Sequence, residues 1–78
     1  MTYPRKATHR TLSDYNNWFQ RILTVGSTGV DVELVQQRLN ARVTGTYDRE
    51  TKALVCGLQE KRSLPVTGMV DVVTASRI

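Results

Sequence analysis

Asp48 and Asp71 stand in the same local phrase at two places in a 78-residue chain, and a pair of carboxylates is the first chemistry such a repeat raises, because paired acids can divide general acid and base roles. The phrase itself argues for another use. Residues 43–51 and 66–74 both read V-T-G-x-x-D-x-x-T, with Val43/Val66, Thr44/Thr67, Gly45/Gly68, Asp48/Asp71 and Thr51/Thr74 identical. An Asp three residues before a Thr, followed by a helix-compatible run, is an N-cap: its carboxylate accepts from orphan N–H groups and its charge suits the positive helix end. His9 and Cys56 are the other reactive side chains, far apart in sequence, and no H-E-x-x-H, G-x-S-x-G or metal-ligand cluster joins them. The chain reads as non-catalytic, with no cofactor and no metal site.

The elements that position the phrase follow from the residues around it. Val suits an extended, half-buried site, Thr bonds local backbone, and Gly reaches positive φ at no steric cost. Each phrase is therefore a turn that ends in a cap and starts a helix. Gly26-Ser27-Thr28-Gly29 is a break, and Val32, Val35 and Leu39 recur at helical spacing after it, predicting a helix over 31–40. Leu54, Val55 and Leu58 make an apolar stripe on a second helix that ends at Ser63-Leu64-Pro65, and 72–78 supplies a short third. The expected fold is all-α: three small helices around one core, with Gly26, Gly29, Gly45, Asp48, Gly68 and Asp71 as its turns and caps.

Ahead of this lies a stretch of different composition. Residues 1–21 hold Arg5, Lys6, Arg10 and Arg21 against Asp14, so most of the net charge of +4 sits there, as do four of the five aromatics. Residues 1–11 lack an apolar period and read as an extended arm. Ser13 or Asp14 then caps a predicted short amphipathic helix, with Tyr15, Trp18, Phe19 and Ile22 on one face. The chain divides into a basic, aromatic arm and docking helix over 1–22 and a globular domain over 23–78.

Size and composition bound the rest. A domain of about 60 residues buries only about 60% of its unfolded surface, which leaves no room for a large catalytic cleft. One cysteine gives no intrachain disulfide. No charged n-region with a following apolar stretch opens the chain, so the sequence predicts neither a secretory signal nor a membrane span.

The ordered series Leu23-x-x-Gly26-Ser27-x-Gly29-x-x-Val32-x-x-Val35-Gln36-x-x-Leu39-Asn40, the first phrase, Leu54-Val55-x-x-Leu58-Gln59, Leu64-Pro65-Val66-Thr67-Gly68 and Asp71-x-x-Thr74 resembles the peptidoglycan-binding domain, type 1, over about 23–78. The resemblance implies a compact three-helix domain with a pseudo-repeat that binds wall polymer without performing chemistry. The chain departs from that pattern at Leu58, where Phe is frequent, at Gly57 inside the second helix, and at Ala75, where Trp is common. Arg42, Thr44, Tyr47 and Arg49 are the candidate wall contacts, since they gather an aromatic and two cations. In the competing reading Tyr47 is half-buried packing and the arginines form a solvated face. Gln36 and Gln59 match family positions, and hydrogen bonding on the helix surface accounts for them equally well.

A wall-binding module without a secretion signal needs another route to the wall, and a phage virion offers one. The sequence therefore predicts a virion accessory protein, a capsid decoration or tail-associated component made in the bacterial host cytoplasm. Its docking residues to a larger protein assembly are Tyr3, Arg5, Lys6, Arg10, Tyr15, Trp18 and Phe19, and peptidoglycan is its second partner. The alternative is an orphan targeting module that works beside a separate hydrolase. A nucleic-acid role, in which the arm's cations neutralise phosphates and Trp18 or Tyr15 stacks on bases, ranks below both, and no membrane partner is expected.

Overall fold

A computed structural model describes residues 18–78. Three helices order this region: α1 (Val30–Arg38), α2 (Arg49–Lys61) and α3 (Val72–Arg77). Two isolated antiparallel bridges, Leu23 with Val70 and Thr28 with Thr46, tie the segment before α1 to the two segments between helices. The all-α expectation holds for the described residues. None of these helices is long and apolar enough to cross a membrane.

The helices start and stop for local reasons. Asp48 and Asp71 adopt extended backbone and cap α2 and α3, accepting from Thr51 N and Thr74 N at 2.8 and 2.9 Å. Gly29 begins α1 with no side-chain cap; there Asp31 and Glu33 place negative charge in the first turn, and Asp31 Oδ1 accepts from Val32 N at 3.0 Å. The two longer helices end alike. Asn40 and Ser63 both sit in the left-handed region, at φ 58° and 59°. Ala41 N donates to Gln36 O and Leu64 N to Gln59 O, each at 2.8 Å, while Asn40 N reaches Gln37 O and Ser63 N reaches Glu60 O. These are paired Schellman closures, which satisfy carbonyls the helix leaves open.

Residues 23–29 then fasten both turns together. Leu23 exchanges two backbone bonds with Val70, at 3.1 and 2.9 Å, beside the second turn. Farther along, Gly26 N donates to Tyr47 O, Tyr47 N to Ser27 O, and Gly29 N to Gly45 O, so the same segment grips the first turn. This pairing explains why residues 18–22 are not helical, contrary to the amphipathic helix predicted through Ile22. Backbone drawn into a bridge at Leu23 leaves the helix no continuation, and Ile22 stands 58% exposed. The remainder of that predicted helix, and the arm before it, lie outside the described residues.

The core is small: Leu23, Val32, Val35, Tyr47, Val55, Val70 and Ala75, with Trp18, Phe19, Leu39 and Ile78 packed against it. The stripe expected on α2 is rotated. Leu54 faces solvent, and Thr51, Val55 and Gln59 are the buried residues of that helix. Trp18 and Phe19 meet edge to face, with ring centroids 6.0 Å apart, and add aromatic mass to the edge of a core in which Tyr47 is the one fully buried aromatic among the described residues.

Candidate functional site

A buried glutamine holds each V-T-G turn. Gln36, on α1, is wholly buried, and its Oε1 accepts from Thr44 N at 2.9 Å and Gly45 N at 3.0 Å. Its Nε2 faces Thr46 O at 2.9 Å, Thr51 Oγ1 at 3.0 Å and Thr44 Oγ1 at 3.2 Å. One amide thus fixes a loop's two N–H groups and one carbonyl, and reaches the N3 residue of the next helix. The Thr51 hydroxyl passes its own proton to Asp48 Oδ1 at 2.8 Å. That places it between Gln36 and the cap carboxylate, where a capping box would send it to the cap backbone.

Gln59 repeats the arrangement 23 residues later. Its Oε1 accepts from Thr67 N and Gly68 N, both at 3.0 Å, and its Nε2 faces Met69 O, Thr74 Oγ1 and Thr67 Oγ1 at 3.0–3.1 Å. Each glutamine is also the residue whose backbone carbonyl takes the long Schellman bond at its helix end. A single residue therefore closes one helix with its main chain and positions the start of the next with its side chain. A buried amide is tolerated in so small a core because its hydrogen-bonding groups are engaged.

The turn needs glycine at its centre. Gly45 and Gly68 are buried at φ 83° and 77°, a region costly for other residues. A side chain at Gly68 would also meet Lys52 Cε at 2.7 Å, and one at Gly45 would meet Glu33 Oε2 at 3.2 Å. Gly26 and Gly29 also have positive φ, in the bend before α1.

The predicted wall contacts separate on this frame. Arg42, Thr44 and Arg49 are exposed around the first turn. Tyr47 is not: it is fully buried, and its hydroxyl donates to Gly68 O at 2.7 Å, so its ring belongs to the core and offers no face to a ligand. Burial pushes its phenol well above the usual tyrosine range. Thr44 is committed internally, its hydroxyl accepting from Thr46 N and meeting Gln36. Hydrogen bonds from Thr51 N and the Thr51 hydroxyl hold the Asp48 carboxyl below the usual carboxylate range, and the positive charge of Arg42 adds to that lowering. Arg42 and Arg49 are what remains free at the first turn; among the described residues neither makes an ion pair.

The glutamines overturn the helix-surface account, since both are buried hydrogen-bonding centres. Of the docking candidates, Trp18 and Phe19 are half-buried against the core; Tyr3, Arg5, Lys6, Arg10 and Tyr15 lie outside the described residues. Arg21, counted with the cations that could neutralise phosphates, is engaged by Asp31. Its guanidinium forks onto the carboxylate at 2.9 and 3.0 Å and also donates to Thr28 O, which keeps the Asp31 carboxyl below its ordinary range. No group of three or more His, Cys, Asp or Glu among the described residues could hold a metal ion. One open groove of about 420 Å³ lies between Trp18 and Gln20 on one side and the outer face of α1, with Val30, Glu33, Leu34 and Gln37, on the other.

The unit built by these turns, from Thr28 to the last residue, is also what sequence comparison isolates. The model of the family described as "Putative peptidoglycan binding domain" matches residues 28–78. The chain belongs to this peptidoglycan-binding family. No curated protein and no solved structure matches it. Within the peptidoglycan-binding domain the two turns share a frame and differ in what they display. Arg42 and Arg49 of the first correspond, 23 residues on, to Pro65 and Val72 of the second, and Thr46 corresponds to Met69. One turn presents cations; the other presents Val66, Met69 and Val72, all exposed.

Proposed function

We propose that this domain is a non-catalytic module that binds cell-wall peptidoglycan, with Arg42 and Arg49 of the first turn facing carboxylates of the wall peptide. The observation that carries this reading is membership of the peptidoglycan-binding family over 28–78, in a fold whose shared frame is spent on hydrogen bonds within the protein and leaves those two arginines without an ion pair among the described residues. With Tyr47 in the core, charge is the recognition chemistry left at that turn. Co-sedimentation with purified sacculi tests it. The Arg42→Ala/Arg49→Ala pair should pellet several-fold less than the parent and lose its dependence on salt; equal pelleting would remove the arginines from the contact.

The basic, aromatic segment favours a second role for the same molecule. The arm ahead of Trp18 attaches the domain to a larger assembly, a phage capsid or tail, and the virion carries it to the wall. The concentration of charge and aromatics ahead of the family-matched region supports this reading. A protein starting at Trp18 should keep its wall binding and be missing from purified particles. Unchanged incorporation would contradict attachment through the arm and return the protein to a role beside a separate hydrolase.

A further inference from the structure

The groove between Trp18 and α1 has a chemistry different from that of the first turn. Its floor and walls combine the half-buried Trp18 ring, the exposed Val30, the half-buried Leu34, and two amides, Gln20 and Gln37, that stand exposed. Asp31 also lines it, but that carboxylate is neutralised by the Arg21 fork. Among the described residues Glu33 then leaves the groove lining with one uncompensated negative charge, and none of them lines it with a cation. Its volume falls within the span of small-ligand sites, roughly 300–1,000 Å³. Two of its lining residues, Trp18 and Gln20, precede the family-matched segment at 28–78.

These features select a ligand class. Net negative charge disfavours phosphates, nucleic acid and the carboxylates of a peptide. A flat indole beside two aliphatic side chains takes an apolar face of limited size, and the amides offer donors and acceptors to groups at its rim. A pyranose ring has both parts: an apolar C–H face and a rim of hydroxyls, which an acetamido group extends. We infer that this groove is a second wall contact, which seats the N-acetylated glycan strand while the arginines of the first turn face peptide carboxylates. The inference rests on the wall-binding reading and adds to it a site that the family-matched region alone does not complete.

Trp18 is the chain's one tryptophan, so its emission reports directly on the groove. The full-length protein is titrated with the tetrasaccharide of N-acetylglucosamine and, separately, with a synthetic wall pentapeptide. The tetrasaccharide should change Trp18 emission saturably, and the pentapeptide should not. Gln37→Ala and Val30→Asp, both at exposed positions of α1, should weaken the saccharide response about tenfold with the circular dichroism spectrum unchanged, whereas Arg42→Ala should leave it intact. Flat emission at millimolar tetrasaccharide, or identical titrations for parent and Gln37→Ala, would overturn the inference even if sacculi still pellet the protein. A saturable tetrasaccharide response without sacculus binding would uphold the groove and contradict the wall reading alone.

Discussion

The Tyr47 hydroxyl donates to the Gly68 carbonyl at 2.7 Å, tying the residue that closes the first V-T-G turn to the glycine at the centre of the second. The two halves of the domain are thereby joined inside the core, in addition to the backbone pairing of residues 23–29. Tyr47→Phe keeps the packing and leaves the Gly68 carbonyl without this donor. It should cost about 1–2 kcal/mol in urea unfolding. Burial of the same phenol sets an alkaline limit. The folded protein raises the phenol above its ordinary value of 10.0, so this contribution is complete below about pH 10 and is lost as pH climbs toward the folded value. Tyr47→Phe should lack that alkaline branch when stability is followed from pH 8 to 11.

Gln36→Ala and Gln59→Ala should each destabilise the fold by about 2–4 kcal/mol, because each strands two loop N–H groups, one of them on a buried glycine, and opens a cavity. Glutamate is no substitute. It keeps the acceptor atom and loses the donors that reach Thr46 O or Met69 O, so Gln36→Glu should be nearly as damaging at pH 7. Chemical denaturation of the single variants decides this; a loss below about 0.5 kcal/mol would mean the turns hold themselves.

Two positions should accept stabilising changes. Gly57 lies in α2, exposed, with open space where a Cβ would stand, so no close packing requires it. Gly57→Ala should add roughly 1 kcal/mol, raising the melting temperature by about 4–8 °C. Ser63 adopts φ 59° at the end of α2, where glycine is the common choice, and Ser63→Gly should gain about 0.5 kcal/mol. Differential scanning calorimetry measures both.

Acid should weaken the fold through Asp48 and Asp31, whose folded carboxyls are held below the ordinary aspartate range by Thr51 and Arg21 respectively. A depressed folded value contributes stability that is present above the unfolded value and lost as pH falls through the folded one. Stability should therefore decline below about pH 4. Asp48→Asn combined with Asp31→Asn should flatten that decline in melts taken from pH 6 to 2.

Much of this architecture is legible in the order of the residues. The repeated phrase announces a turn, a cap and a helix start, because Gly, Asp and Thr act there through their own backbone and near neighbours. The ordered motifs point to the family, which the match over 28–78 shows. What residue order hides is tertiary. Gln36 and Gln59 share the same 23-residue offset, as do Asn40 and Ser63 at the helix ends, and the repeat, extended backwards, takes in all four. By residue type, however, glutamine on a helix reads as solvated, and only the loop folding back onto it buries it. Tyr47 is ambiguous for the same reason. Alternating positions near a turn do not say which side chain meets the opposite repeat. Trp18, Phe19 and Ile22 have true helical spacing, yet the bridge at Leu23 outweighs a short helix whose propensity alone is marginal.

We propose that this fold holds wall polymer without cutting it. The direct measurement is incubation of the full-length protein with purified sacculi, followed by assay of both the pellet and the soluble fraction. Saturable recovery of the protein in the pellet is expected, with no rise in soluble reducing sugars or free amino groups. Protein left wholly in the supernatant, or release of soluble wall fragments, would contradict it.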